Sequence, residues 1–291
     1  MMSAYILDLR NQEVGGAVTS GHLYRVENGV DVDWNARLPE FTTATQGKRL
    51  LVLVHGYNNS RSVGRTQLVR YGQLLADGGN GDVMLAVLWP GDGWAKALTY
   101  PFEGRDADDS ADVLARWLRG NAASSARIAF VGHSLGCRVV MNTAQQIVRG
   151  ASPALDRVCL MAPAIDNDSL GRRGVTSYQE ATLGADRVAV LASEQDLVLH
   201  LAYPIGDLAQ TILFGERWGR ALGRTGPVES EPGIVSRIEP VPQADPGRNV
   251  GHGDYLDVNE KKNPKQTIAQ SEKFVLEYLE RKPSPRWPAQ R

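Results

Sequence analysis

Cysteine is scarce in this sequence, two residues in 291, and that excludes a disulfide framework as the source of stability. Cys137 falls just after a Gly-x-Ser-x-Gly pattern and Cys159 within an apolar run, so both read as packed thiols. Histidine is rare as well, with five scattered copies. No CxxC or HExxH spacing occurs, so no metal site is expected. No apolar run approaches the ~20 residues that span a bilayer. The opening Met1–Arg10 has no basic region leading into an apolar core, and the expectation is a cytoplasmic chain. Excess charge of either sign is missing too: 32 basic residues stand against 33 acidic ones, for a net charge of −1. With no basic stripe to neutralise phosphates, nucleic acid is not an expected partner. There is neither a P-loop nor a GxGxxG fingerprint, and no cofactor is expected.

What is present is an alternation of apolar runs and amphipathic stretches. Arg49–Val54, Val83–Trp89, Ile128–Val131, Val158–Met161 and Arg187–Ala192 are short, continuous and rich in β-branched residues, as strands buried on both faces are. Between them, Ser62–Ala76 has a helical mixture that stops at Gly78-Gly79. Asp106–Arg119 places acids in its first turn and Ala107, Ala111, Leu114, Ala115 and Leu118 on one face, as an amphipathic helix requires. Strands alternating with helices predict an α/β fold: a doubly wound, mostly parallel sheet with helices on both faces. Ala4–Leu9 and Leu23–Val32 read as strands extending one edge, Ile234–Val241 as a last strand, and Pro264–Leu279 as a final helix. A chain of this length can bury about three quarters of its extended surface in one domain. The expected organisation is one domain over 1–281, with 1–48 supplying the edge strands, and a flexible Pro-rich basic tail over 282–291 whose Trp287 can dock on the domain.

Chemistry enters at Gly132-His133-Ser134-Leu135-Gly136. A chain that leaves a strand and enters a helix within a few residues must turn sharply, which strains the central serine and exposes its hydroxyl. Gly132 and Gly136 stand where a β-carbon would keep the helix from approaching the strand. A serine hydroxyl needs a base, an orienting acid and donors for the oxyanion. The apolar run ending at Val54 continues into His55-Gly56-Tyr57-Asn58, and a backbone amide just after such a strand can face the elbow. The amides of Tyr57 and Leu135 are the predicted oxyanion donors, Leu135 because it follows the nucleophile at a helix N-terminus.

The His55-Gly56-Tyr57-Asn58 turn, the Val87-Leu88-Trp89-Pro90 strand end, the elbow and Ala162-Pro163-Ala164-Ile165-Asp166 together resemble the α/β-hydrolase superfamily, in a branch of serine-dependent bacterial esterase-like and lipase-like members. The resemblance covers about residues 48–200. It implies the order nucleophile, acid, histidine. Asp196, after the strand Arg187–Ala192, stands where the superfamily places its orienting carboxylate; Glu194 and Asp166 are the competitors. Of the five histidines, His22 precedes the required order, His55 and His133 belong to the two turns, and His200 follows Asp196 too closely. That leaves His252 in the Gly-flanked loop Asn249-Val-Gly-His-Gly-Asp-Tyr255, where small neighbours let the imidazole move between hydroxyl and leaving group.

The implied activity is hydrolysis of carboxylic esters through an acyl-enzyme on Ser134, with His252 as base and Asp196 as acid, and a rate that rises with pH through a histidine titration. A small acyl ester is then the partner, and no large cap domain is evident, which favours short to medium acyl chains. A lipase, a phospholipase or an acyltransferase uses the same triad, and a silent binding protein on this fold is the reading from another class. Three insertions are expected to border the pocket: Asp92–Arg105, with Trp94, Tyr100 and Phe102; Asn167–Ala185; and Leu197–Gly223. In the third, Leu208, Ile212 and Leu213, with Phe214 and Trp218 nearby, fit a core helix better than a lid.

Overall fold

A computed structural model describes residues 3–76, 82–92, 100–150, 153–171, 177–201, 220–228, 231–241, 250–256, 268–283 and 287. Its frame is an eight-stranded sheet of strands β1 (Ser3–Asp8), β2 (His22–Glu27), β3 (Val30–Asp33), β4 (Arg49–Val54), β5 (Val83–Leu88), β6 (Arg127–His133), β7 (Leu155–Met161) and β8 (Arg187–Leu191), in the order β3-β2-β1-β5-β4-β6-β7-β8. From β1 through β8 every neighbouring pair is parallel, and β2 and β3 add an antiparallel hairpin at one edge. The predicted doubly wound architecture is the observed one. The apolar runs fill the middle of the sheet because both faces there are covered: β5 and β7 are buried along their whole length.

The α-helices among the described residues are α1 (Leu38–Thr45), α2 (Arg61–Ala76), α3 (Tyr100–Asn121), α4 (Gly136–Arg149), α5 (Gln179–Gly184), α6 (Leu197–Leu201), α7 (Leu222–Thr225), α8 (Pro232–Val235) and α9 (Ile268–Leu279). One layer has α4 packed between α3 and α5, with α1 against α3; the other has α2 packed against α9. The periodic face of α3 is the one it hides: Ala107, Ala111, Leu114, Ala115 and Leu118 are fully buried. Cys137 and Cys159 are free and buried, and burial drives both thiols well above the usual thiol range.

Three expectations need adjustment. Leu23–Val32 is not one strand but the hairpin β2–β3, because Asn28 and Gly29 both take positive φ (52° and 81°) and reverse the chain in a two-residue turn. Ile234–Val241 is not a last strand: Pro232, pre-set for a first helical turn, starts α8, and only Ile238 bridges to β8, at Val188. The helix predicted from Asp106 already begins at Tyr100. The expected helix over Pro264–Leu279 is seen as α9, its beginning lying outside the described residues, as do Trp94, Leu208, Ile212, Leu213, Phe214 and Trp218.

Sheet topology decides where a site can form. The chain passes from β4 to β5 on one side and returns across β4 to β6 on the other, so β4 and β6 flank the point where winding reverses, and the crevice beyond their C-terminal ends is open to a ligand. Register aligns those ends: Val54 lies opposite Gly132, His133 opposite Met161, and Met161 opposite Leu191. The turns that follow β4, β6, β7 and β8 therefore leave the sheet along one rim.

Candidate active site

Ser134 sits between β6 and α4 with φ of 52°, a left-handed conformation that costs a non-glycine residue on the order of 1–2 kcal/mol. It persists because its backbone is held on both sides: the Ser134 amide donates to the Met161 carbonyl (2.9 Å), and the Ser134 carbonyl accepts from Ala164 (3.2 Å). The flanking glycines differ in what a β-carbon would meet. At Gly136 it would lie 2.2 Å from the His55 carbonyl oxygen and 3.1 Å from that of Val54. At Gly132 it would meet Val140 Cγ2 at 3.0 Å and Cys137 Cα at 3.2 Å. Gly136 thus lets α4 press on the backbone at the end of β4, bringing the elbow against the turn that follows. Gly56 closes the contact from the other side, since a β-carbon there would stand 3.0 Å from Ser134 Cβ.

Asp196 and His252 reach the same point from two other loops. His252 Nε2 is 2.8 Å from Ser134 Oγ, and His252 Nδ1 is 2.7 Å from Asp196 Oδ2. Asp196 is fully buried; its second oxygen accepts the Leu199 amide at 2.9 Å, which fixes the carboxylate against the first turn of α6. Of its competitors, Glu194 is exposed on the same loop, while Asp166 belongs to a bridge with Ala221. The loop of His252 closes on itself, with the Gly251 amide donating to Asp254 Oδ2 at 2.6 Å and the Asp254 amide to the Gly251 carbonyl at 3.1 Å.

The two turn histidines hold backbone. His55 Nδ1–H donates to the Gly56 carbonyl (2.8 Å) and its Nε2 accepts the Trp89 amide (3.3 Å), while Trp89 Nε1–H donates to the His55 carbonyl (2.9 Å). That pattern suits a neutral imidazole, and burial pushes the pKa of His55 down to about 4. His133 Nε2–H donates to the His252 carbonyl at 2.8 Å; burial, with His252 beside it, pushes His133 down to about 3. His133 is therefore the anchor of the loop carrying His252, a role invisible in sequence because the two lie 119 residues apart. His22 pairs with Asp33 at 2.9 Å on the edge hairpin, and His200 lies within α6.

The donors expected for an oxyanion lie on the two turns that meet here. Leu135 is buried and directly precedes α4, and Tyr57 is partly buried three residues beyond β4. Their turn is tied to the neighbouring strand end by the Asn58 amide, which donates to the Gly91 carbonyl at 2.5 Å. Arg10, fully buried after β1, donates to the Asn59 and Trp89 carbonyls (2.9 and 3.2 Å) and pairs with Asp92. Among the described residues no three His, Cys, Asp or Glu side chains are grouped as metal ligands, and no helix is long and apolar enough to cross a membrane.

A mostly parallel sheet covered by helices on both faces, with a strained serine on the turn from strand to helix, defines the α/β-hydrolase class. The chain belongs to the family described as alpha/beta hydrolase of unknown function (DUF900), whose model matches residues 33–213. No curated protein matches the sequence. Among solved structures, it is similar to a hyperthermophilic esterase of the archaeon Pyrobaculum calidifontis, with 16% identity, 91% of this chain and 82% of that one covered, and a TM-score of 0.45. It is also similar to a thermophilic esterase of the planctomycete Thermogutta terrifontis with propionate bound, with 13% identity, 89% and 92% covered and a TM-score of 0.44. A match to the RedJ thioesterase of prodiginine biosynthesis in Streptomyces coelicolor has 17% identity and a TM-score of 0.31 and spans less than half of either chain, 45% of this one and 44% of that one. At such identities none of these likenesses extends to substrate.

Proposed function

We propose that the protein is a serine hydrolase that cleaves small carboxylic esters of short to medium acyl chain, with Ser134 as nucleophile, His252 as base and Asp196 as orienting acid. The observation that carries this reading is the unbroken relay from Ser134 Oγ through His252 (2.8 Å) to Asp196 (2.7 Å) at a serine with φ of 52°. Distances of this size allow proton transfer without rearrangement.

In this mechanism His252 Nε2 takes the hydroxyl proton as Ser134 Oγ attacks the ester carbonyl, and the C=O electron pair moves onto oxygen. Asp196 accepts the Nδ1–H bond, fixing the tautomer and stabilising the imidazolium that forms. The amides of Leu135 and Tyr57 receive the oxyanion, each worth about 3 kcal/mol of barrier. Collapse breaks the bond to the alkoxide, which leaves as alcohol with the proton from His252. Water, deprotonated by the same imidazole, then attacks the acyl-enzyme and releases the acid.

The test is a panel of nitrophenyl esters of increasing acyl length together with labelling by a fluorophosphonate probe. The wild type is expected to turn over the shorter esters and to be labelled, and Ser134→Ala to lose both. Wild-type turnover of an activated ester by Ser134→Ala would remove the assignment. A wild type that is neither labelled nor active would point to a silent binding protein on this fold.

A further inference from the structure

Trp287 stands close to the relay in space and far from it in sequence. It is almost completely buried, at 2% exposure, in a segment whose proline content and charge predicted looseness. Its ring stacks on Tyr255 (centroids 5.2 Å apart, planes at 22°), and Phe274 of α9 meets it edge-on at 6.5 Å. The indole Nε1–H donates to the carbonyl of Ala192 at 3.4 Å. The contacts to Tyr255 and Ala192 fall on two different loops of the relay.

Tyr255 belongs to the His252 loop. Its carbonyl accepts from Ser271 Oγ of α9 at 2.8 Å, and its ring lies 5.9 Å from His133, whose Nε2–H holds the His252 carbonyl. The Tyr255 hydroxyl is buried without a hydrogen-bond partner among the described residues, and among them the ring is located by stacking. Ala192 is the first residue beyond β8; Ser193 follows, and its carbonyl accepts the Asp196 amide at 3.1 Å. A hydrophobic cover for α9 would need only bulk. A flat ring parallel to Tyr255, with a donor aimed at the strand end that leads to the acid, meets a narrower requirement.

We propose that Trp287 is a positioning residue: through Tyr255 on one side and the Ala192 carbonyl on the other, it ties the loop of His252 to the loop of Asp196 and keeps base and acid at hydrogen-bonding separation. The inference rests on the proposed serine-hydrolase function for its activity readout only. Displacements near 1 Å can cost up to about 100-fold in rate, so Trp287→Ala is expected to lower kcat per titrated active site by about tenfold to a hundredfold. KM stays within about twofold, since no binding contact is removed. Trp287→Phe keeps the stack but has no Nε1–H for the Ala192 carbonyl, so it recovers only part of the loss.

The experiment uses the full chain and pairs ester kinetics, normalised by fluorophosphonate titration, with proton NMR of the low-field His252 Nδ1–H resonance in wild type, Trp287→Ala and Trp287→Phe. Loss or broadening of that resonance in Trp287→Ala, with Trp287→Phe intermediate, supports the tie whether or not the substrate class is right, and a Trp287→Phe protein equal to wild type overturns its link through Ala192. A wild type that is never labelled defeats the hydrolase reading and leaves the resonance to decide this one. If Trp287→Ala keeps both the resonance and the titrated kcat, even at a lower melting temperature, Trp287 is a cover for the core and the inference is overturned. Should Trp287→Ala not fold, Trp287→Leu retains bulk without stack or donor and carries the same comparison.

Discussion

Replacing Gly136 by alanine tests the packing that forces the elbow. The new β-carbon would stand 2.2 Å from the His55 carbonyl oxygen and 3.0 Å from its carbon. Both are backbone atoms at the end of β4, so no rotamer change relieves the collision. Reaching ordinary contact at 3.4 Å requires α4 to retreat from β4 by more than an ångström, and overpacking of that kind costs about 1–3 kcal/mol, here towards the upper figure. Ser134 lies two residues before Gly136 and moves with it, away from an imidazole now 2.8 Å distant; a misplacement of this size lowers the rate by about 100-fold. The assay is a urea midpoint together with the rate of fluorophosphonate labelling. Two other glycines calibrate it. Gly132→Ala meets Val140 Cγ2 and Cys137 no nearer than 3.0 Å and is expected to lose less in both measurements. Gly120→Ala has open space around it in the last turn of α3 and should gain about 0.5–1 kcal/mol. A Gly136→Ala protein with the wild-type midpoint and labelling rate would refute the argument that this contact builds the elbow.

Three further outcomes are expected. His55 and His133, held at about 4 and about 3 by burial, lie below the unfolded value of 6.5, so the unfolded chain takes up protons first. Their contribution is complete above about pH 6.5 and is lost as pH falls towards 4, by about 1.4 kcal/mol per pH unit for each imidazole; urea midpoints from neutral to acid pH should show it, and a His55→Gln variant with an unchanged pH slope would contradict it. His133→Phe removes the donor to the His252 carbonyl and leaves that oxygen unmatched, which should cost about 1–3 kcal/mol and slow labelling at the same time; slower unfolding or unaltered labelling would count against the anchor. Arg49→Met, at the opposite rim, cuts contacts to Asp82 (2.5 Å), the Leu279 carbonyl (2.6 Å) and Asp156 (3.5 Å) and is expected to cost about 3 kcal/mol while labelling per folded molecule stays at the wild-type rate.

The frame was readable wherever burial left a periodic trace. Arg49–Val54 and Val83–Leu88 are strands because a strand covered on both faces can only be apolar throughout, and α3 hides the five residues its spacing set on one side. The elbow was readable because its constraint is local: two glycines around one serine, between a strand and a helix. Reading failed where a local signal competed with hydrophobicity. Asn28-Gly29 turns the chain within what looked like one strand, and Pro232 starts a helix where Ile234, Val235 and Ile238 suggested an extended run. The positions of Asp196 and His252 were indicated by order along the chain, and their meeting rests on loop contacts that order does not specify. The anchoring by His133 leaves no local trace, and the sequence allows Trp287 to dock without naming the residues that receive it, since each joins segments separated by about a hundred residues.

The three groups of the relay come from well-separated stretches, with His252 arriving 118 residues after Ser134 and 56 after Asp196. A growing or nicked chain can complete the elbow long before an imidazole is available to it. On the proposed mechanism, every such intermediate carries an inert alcohol, and reactivity begins only when a distant stretch of polypeptide docks, so an acyl group meets an activated oxygen only in finished molecules.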